Sequence, residues 1–164
     1  ADDVQIDAVL AENDSTALGV VAALQSKSYD IIPVSGQDGD PANLNNVAKG
    51  LQYVDIWKNS NELGKAAGAA ALQLCQGKAL GEVTLPDGLI DPSVAPDSLT
   101  AGDFTTPGPD GKPDSGDENT VKSFILKPTP ITADNLNLVI EGGWITKDKL
   151  CEGVDAASAP DACK

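Results

Sequence analysis

Short apolar runs alternate with amphipathic stretches over the first half of the chain. Residues 6–12, 31–35 and 51–57 are typical of buried strands. The stretches between and after them place apolar residues at helical spacing, from Asp14 or Ser15 to about Leu24, from Pro41 to Gly50, and from Asn59 to Gly77. This order predicts an α/β fold, a three-layer parallel sheet with flanking helices.

The pattern changes after residue 84. Residues 85–120 are rich in Pro, Gly and Asp and keep no periodicity, which predicts a long acidic loop. Its segment 110–118 carries carboxylates that could chelate calcium, but their spacing is not that of an EF-hand and Lys112 and Pro113 interrupt it, so a solvated loop is the preferred interpretation. Residues 121–126 then predict a strand, 127–130 a crossing and 133–141 a short helix.

Three polar residues close apolar runs: Asn13, Asp38 and Lys58. Because ligands of open parallel sheets bind beyond the carboxyl ends of the strands, we expect an amide, a carboxylate and an ammonium to converge there. This set suits the hydroxyls of a small neutral ligand. Gln37 is a weaker candidate, since a turn role explains it equally well. The alternative is purely structural: a turn residue, a cap and a solvated strand end.

Composition narrows the function classes. The chain has 164 residues, a net charge of −14 and no His, and each of its basic residues is Lys. Such a surface repels phosphate backbones, so no nucleic-acid partner is expected. Without His, Ser–His and Cys–His catalysis are excluded, and we predict no cofactor, no metal and no enzymatic activity. The best carboxylate pair, Asp38 and Asp40, is too close in sequence for the opposed groups of a hydrolase.

Three cysteines are present. Cys151 and Cys163 bracket the C-terminal segment, where a disulfide would fix a tail that otherwise frays. Such a bond suits an oxidising, extracytoplasmic compartment, whereas the alternative is two free thiols in a mobile tail. Cys75, on the predicted helix 59–77, is expected to be a small buried apolar residue.

Four segments carry a resemblance to a known family: DAVLAENDSTALGVVAAL, PVSGQDGD, GLQYVDIWK and FILKPTPITADNLNLVIEGGWITKDKL. They resemble the C-terminal part of periplasmic-type sugar-binding proteins of ABC transporters, closest to the D-xylose-binding branch. The resemblance implies a two-lobed fold in which Asn13, Asp38 and Lys58 bind the sugar.

The resemblance also implies a division of the chain. Residues 1–58 would belong to the C-terminal lobe, 59–84 would cross to the N-terminal lobe, 85–120 would be an insertion, 121–150 would return, and 151–164 would form the disulfide-closed tail. Because the chain starts at Ala1 and has no Met, we expect an upstream part that holds the N-terminal lobe, in the same or a separate chain. The apolar face of helix 59–77 should then be exposed or covered by a second chain.

The implied function is capture of a monosaccharide, D-xylose first, and its delivery to a membrane ABC permease. The protein would be extracytoplasmic, either free or lipid-anchored through the upstream part; no signal peptide or membrane-spanning run is visible. Two alternatives keep the fold: a sensory sugar-binding subunit, and a multi-sugar binder for glucose, galactose or arabinose. A glycoside hydrolase and a DNA-binding regulator are the alternatives from other classes, and acidity and the predicted disulfide oppose the regulator.

Overall fold

A computed structural model describes residues 5–85, 102–105, 120–123 and 128–164 of the chain. The chain divides into two compact units, one formed by Ala1–Asn59 with Pro128–Lys164 and the other by Ser60–Lys127. The helices and strands are α1 (Asp14–Ser26), β1 (Ser35–Asp38), α2 (Pro41–Ala48), β2 (Val54–Trp57), α3 (Ser60–Cys75), β3 (Gly102–Thr105), β4 (Thr120–Ser123), β5 (Thr129–Ile131), α4 (Asn137–Glu141) and α5 (Lys147–Leu150).

The first unit is built on a small sheet of order β1-β2-β5. Strands β1 and β2 are parallel, with Asp38 opposite Trp57, whereas β5 runs antiparallel to β2. The α/β class is therefore confirmed, and the antiparallel third strand is a departure from the wholly parallel sheet expected. The predicted strand 6–12 contributes a parallel bridge between Val9 and Val34.

Helices α1 and α2 pack on this sheet and on each other. Beneath α1 lies an apolar cluster made of Ala11, Ala17, Val21 and Val34, bordered by Val9, Val20, Leu24 and Leu51. The other fully buried apolar residues of this unit include Leu44, Leu136 and Leu150. Burial of these side chains from both sheet and helices is what gives a unit of this size its stability.

Trp57, at the end of β2, is the largest side chain of this core. It is 1% exposed and therefore belongs to the core. The indole fits because two glycines border it: a Cβ on Gly39 would lie 2.4 Å from its Cδ1, and one on Gly142 would lie 2.9 Å from its Cη2. The Trp144 ring packs on it at a centroid distance of 5.9 Å and an interplanar angle of 58°, a favourable tilted arrangement.

The C-terminal tail is fixed to the first unit. The predicted disulfide joins Cys151 and Cys163, twelve residues apart. Asn45 Nδ2 of α2 donates to the carbonyl oxygens of Leu150 at 2.7 Å and Glu152 at 3.0 Å. These contacts hold α5 and the start of the tail against α2.

The second unit contains α3, a 3-10 turn at Leu80–Glu82, and the antiparallel pair β3–β4. Part of the predicted loop 85–120 thus forms the strand β3. This strand was not predicted because four residues are too few to show a hydrophobic period and because its partner β4 lies further along the chain. The acidic segment 110–118 lies outside the described residues. Among those described, no helix has the length and apolar character needed to cross a membrane.

Helix α3 exposes much of its apolar surface. The leucines at positions 63, 72 and 74 are 44%, 61% and 42% exposed. Cys75, the last residue of the helix, is also exposed and unpaired, so its predicted burial is wrong. The prediction failed because helical spacing places Cys75 beside the apolar face, and that face does not itself become buried.

Candidate functional site

An ion pair lies at the carboxyl ends of the two parallel strands. Asp38 is the last residue of β1 and Lys58 directly follows β2, and Lys58 Nζ lies 2.7 Å from Asp38 Oδ1. Their side chains are 40% and 43% exposed, respectively. A pair this exposed adds only about 0–1 kcal/mol to stability. Because both side chains are partly exposed, both charged groups are accessible to a ligand.

The backbone at Asp38 is strained. Its φ is +129°, a conformation that residues with a side chain rarely adopt, and Gly39 follows with φ +88°. Such a residue costs about 1–3 kcal/mol and persists only where its surroundings impose it. The conformation of Asp38 is imposed through the next residue, Gly39. The Gly39 N–H donates to Asp14 Oδ2 at 3.0 Å and to Asp55 Oδ1 at 3.2 Å.

Gly36 does not end β1. The strand continues through Gly36 to Asp38, and the turn follows. Position 36 excludes a side chain because a Cβ would lie 2.5 Å from Asp14 Oδ1 and 2.3 Å from Gln52 Nε2. Glycine is there to make room for buried polar side chains.

Those polar side chains form a connected set below the turn. Asn43 Nδ2 donates to the Asp14 carbonyl oxygen at 3.1 Å and to Gln52 Oε1 at 3.0 Å, and Gln52 Nε2 donates to the Val54 carbonyl oxygen at 3.1 Å. These bonds link the start of α1, the first turn of α2 and the start of β2. Buried hydrogen bonds of this kind favour one arrangement of the elements, although Asn43 Oδ1 has no donor among the described residues.

Asn13 begins α1 as its N-cap. Its Oδ1 accepts a hydrogen bond from Thr16 N–H at 2.9 Å, so the cap lies one residue before the predicted Asp14 or Ser15. The Asn13 side chain is half-buried. Within the part of the chain that the structure describes, its Nδ2 makes no hydrogen bond. The amide therefore caps the helix with its oxygen and keeps its nitrogen available.

Asp14 connects Asn13 to the turn that follows Asp38. Its Oδ2 accepts from Gly39 N–H at 3.0 Å and from Asp40 N–H at 2.6 Å. Asn13 directly precedes Asp14, and Asp38 directly precedes Gly39, so both candidate residues neighbour the hydrogen bond between Gly39 and Asp14. The structure thus joins Asp38 and Lys58 directly and brings the backbone of Asn13 to the same edge of the sheet.

Gln37 stays a prediction. It lies half-buried on β1, in register with Ile56. No hydrogen bond of its side chain occurs among the described residues. Its neighbours therefore give it no structural role that would compete with a ligand.

Sequence reasoning missed Asp55 and Trp144. Asp55 is completely buried on the same face of β2 as Trp57. A carboxylate two residues before a core tryptophan, and therefore on the same face of the strand, was the available signal, because a buried charge needs a partner. Trp144 Nε1 donates to the Gly39 carbonyl oxygen at 2.6 Å, a contact that nothing in the local sequence indicates.

A separate cleft opens at the other end of the sheet. It measures about 410 Å³ and is lined by segments that precede β1 and β2 and follow β5, among them Pro33, Tyr53 and Asp134. None of Asn13, Asp38 and Lys58 lines it. The polar set at the carboxyl ends, not this mainly apolar cleft, has the chemistry that the sequence predicted.

The polar set is suited to binding. A carboxylate accepts hydrogen bonds, an ammonium donates them, and a free amide nitrogen donates in a fixed direction. Among the described residues, no group of three or more His, Cys, Asp or Glu side chains is arranged to hold a metal ion. The arrangement can therefore hold a ligand whose hydroxyls both donate and accept.

Comparison with known proteins identifies relatives of this chain. Residues 1–79 match the family described as the periplasmic binding protein domain. The chain is 36% identical to the D-xylose-binding periplasmic protein of Escherichia coli K12 over 93 residues, which are 56% of this chain and 28% of that protein. It is 30% identical to the Haemophilus influenzae protein of the same name over 148 residues, 88% of this chain and 36% of that protein. It thus spans about a third of these relatives.

Solved structures show the same fold. An ABC transporter solute-binding protein from Clostridium phytofermentans, solved with β-D-glucose, has 30% identity and a TM-score of 0.63, with coverage of 92% of this chain and 39% of that one. A carbohydrate transporter solute-binding protein from Chloroflexus aurantiacus has 22% identity and a TM-score of 0.59, covers 87% and 34%, and supports the fold alone. Residues 1–79 therefore belong to the periplasmic binding protein family, and the chain as a whole has the fold of its solved members.

Proposed function

We propose that this chain forms part of an extracytoplasmic solute-binding protein that captures a monosaccharide, D-xylose first, for an ABC permease. The observation that carries the proposal is the exposed Asp38–Lys58 ion pair at the carboxyl ends of two parallel strands. The proposal is one of binding without chemistry.

A sugar complements this set atom by atom. The Asp38 carboxylate accepts from two adjacent hydroxyls, Lys58 Nζ donates to a ring or anomeric oxygen, and Asn13 Nδ2 donates to a further hydroxyl. Hydrogen bonds to charged groups are worth about 1.5–3 kcal/mol each. Three such bonds contribute about 4.5–9 kcal/mol. Micromolar affinity needs about 8.2 kcal/mol, so contacts with a second lobe would supply the remainder and offset the cost of association.

The charges at the site favour a neutral ligand. Asp38 and Lys58 neutralise each other at 2.7 Å, so enclosing them with a sugar leaves no net charge buried. A phosphorylated or carboxylated ligand would leave one charge in excess. We therefore expect neutral sugars to bind and sugar phosphates to fail.

The names of the relatives support the ligand class. The Escherichia coli and Haemophilus influenzae proteins are named for D-xylose, and a third relative, 33% identical over 79 residues (47% of this chain and 26% of that protein), is a putative rhizopine-binding protein of Rhizobium meliloti. The Clostridium structure holds β-D-glucose, which keeps the multi-sugar alternative in the test. A sensory subunit would use the same site.

The remaining partners follow from this role. We propose that a second lobe closes over Asp38 and Lys58 and that the closed form docks on the permease. Trp57 is 1% exposed and cannot stack on a sugar, so stacking aromatics would come from that second lobe. An extracytoplasmic location agrees with the Cys151–Cys163 disulfide.

Calorimetric titration of D-xylose and then D-glucose into the full-length protein tests the proposal. We expect micromolar or tighter binding of D-xylose, lost in Asp38→Ala and retained in Asp134→Ala, an exposed aspartate at the other end of the sheet. Tighter binding of glucose would favour the multi-sugar alternative. Heat from neither sugar, or equal losses in the two variants, would refute the proposed site.

A further inference from the structure

Two buried carboxyl groups meet beneath the turn that follows Asp38. Asp14, the first residue of α1, and Asp55, in β2, are both 0% exposed. Both accept from the same N–H, that of Gly39, Asp14 through Oδ2 at 3.0 Å and Asp55 through Oδ1 at 3.2 Å, so the two carboxyl groups lie side by side. The sugar-binding role proposed above uses neither carboxyl group.

Each carboxyl group has one oxygen without an N–H donor. Among the described residues, Asp14 Oδ1 and Asp55 Oδ2 have no donor partner. Two ionised carboxylates in contact and away from water would repel each other and leave both oxygens unsatisfied. A proton on one of them turns the contact into an O–H···O bond, as in other carboxyl pairs that share a proton.

We propose that Asp14 and Asp55 share one proton, carried by Asp55, and that this acid pair is the positioning device for Gly39 and thereby for the Asp38 carboxylate. The sharing of the proton is independent of any ligand. The effect on Asp38 as a ligand group rests on the proposed function.

The surroundings decide which residue is ionised. Asp14 accepts two N–H groups, from Gly39 and Asp40, and lies in the first turn of α1, where the helix dipole favours a negative charge. Asp55 accepts only the N–H of Gly39. Burial, followed by the charge of Asp14, raises the pKa of Asp55 to about 8. Burial also raises the pKa of Asp14, but its hydrogen bonds from Asp40, Asp55 and Gly39 act against that rise.

Other charges near the pair do not replace the proton. Asp40, at the start of α2, is a third carboxylate, and its charge raises the pKa of both residues. The lysine at the end of β2, Lys58, pairs with Asp38 on β1. Among the described residues, no lysine forms an ion pair with Asp14 or Asp55.

The pair makes stability depend on pH in a defined direction. The folded protein keeps the proton on Asp55 up to about pH 8, whereas an unfolded aspartate has a pKa of 3.8. Between these values the folded state binds more protons than the unfolded state, so stability falls as pH rises and levels off above about pH 8. An ordinary ion-paired aspartate gives the opposite slope.

Thermal unfolding of the full-length protein without sugar, from about pH 5 to about pH 9, tests proton sharing. We expect the wild-type Tm to fall by at least about 3 °C over this range relative to Asp55→Asn, whose amide donates permanently to Asp14. Asp14→Asn, which removes the charge held by two N–H groups, should lower Tm at every pH. The control Asp134→Asn should follow the wild type.

Parallel pH profiles of the wild type and Asp55→Asn would overturn the proposal, as would an Asp55→Asn variant that is as unstable as Asp14→Asn at low pH.

Sugar affinity tests the second step, the positioning of the Asp38 carboxylate. Asp55→Ala should weaken binding by at least about tenfold and Asp55→Asn by less. Equal weakening in the two variants would refute positioning through the shared proton. Absence of sugar binding in the wild type would refute the proposed function, while the pH profiles would still decide proton sharing.

Discussion

Trp144 Nε1 donates a hydrogen bond to the carbonyl oxygen of Gly39 at 2.6 Å, across 105 residues of sequence. The N–H of the same glycine is taken by Asp14 and Asp55. Both backbone polar groups of Gly39 are therefore held, one from each side. Because Asp38 directly precedes Gly39, the position of its carboxylate depends on residues from three separate parts of the chain.

Replacing Trp144 by Phe removes one of these restraints. The variant keeps an aromatic ring against Trp57 but leaves the Gly39 carbonyl oxygen without its donor, so we expect a loss of about 1–3 kcal/mol in the free energy of unfolding. Urea unfolding measures it. Tyr53→Phe, at a tyrosine that is 68% exposed, serves as the control and should change stability by less than about 0.5 kcal/mol. Equal changes in the two variants would contradict a structural role for the indole N–H.

Gly39 itself should not tolerate a side chain. In Gly39→Ala the new Cβ would lie 2.4 Å from Trp57 Cδ1, in addition to the cost of the positive φ of +88°. Overpacking costs about 1–3 kcal/mol and the left-handed backbone a further 1–2 kcal/mol, so the variant should be destabilised by at least about 2 kcal/mol.

Gly50→Ala is the matched control for that variant. Gly50 also has a positive φ, +72°, but no atom lies within 4 Å of the position its Cβ would take. This variant should show the backbone cost alone, about 1–2 kcal/mol. Equal destabilisation of the two variants in chemical unfolding would show that the contact with Trp57 is relaxed at little cost.

The helices and the α/β class could be predicted from local patterns. Spacing and capping residues place α1, α2 and α3 to within a few residues, because a helix is defined by neighbours in sequence. The antiparallel direction of β5 and the strand β3 could not be predicted. Pairing of short strands is decided by partners that are distant along the chain, and four residues show no clear period.

The candidate site, too, was predictable only in part from the sequence. Asp38 and Lys58 were identifiable because each polar residue ends an apolar run, and their contact at 2.7 Å follows from the parallel register of β1 and β2. The hydrogen bonds of Gly39 were not identifiable, since they join α1, β2 and the segment after α4. Only the three-dimensional fold brings these partners together.

Thiol titration distinguishes the three cysteines. Cys75 is exposed and free, whereas Cys151 and Cys163 are joined, so these 164 residues should contribute one reactive thiol, which Cys75→Ser removes. Removing the disulfide, in the double variant Cys151→Ser with Cys163→Ser, should cost about 2–3 kcal/mol for a loop of this length. Three reactive thiols in the native, unreduced protein would contradict the disulfide.

Asp38 should show a conflict between stability and binding. Its φ of +129° costs energy for any residue with a Cβ, so Asp38→Ala keeps the strain and loses the ion pair, whereas Asp38→Gly loses both. We expect Asp38→Gly to be more stable than Asp38→Ala by about 1–3 kcal/mol in urea unfolding, and both to lose sugar binding in calorimetry. Gln37→Gly, at a neighbour without a positive φ, should instead lose about 0.5–1 kcal/mol because glycine weakens a strand. An Asp38→Gly variant no more stable than Asp38→Ala would show that the turn relaxes once the carboxylate is gone, which would place the strain in the ion pair rather than in the Gly39 hydrogen bonds.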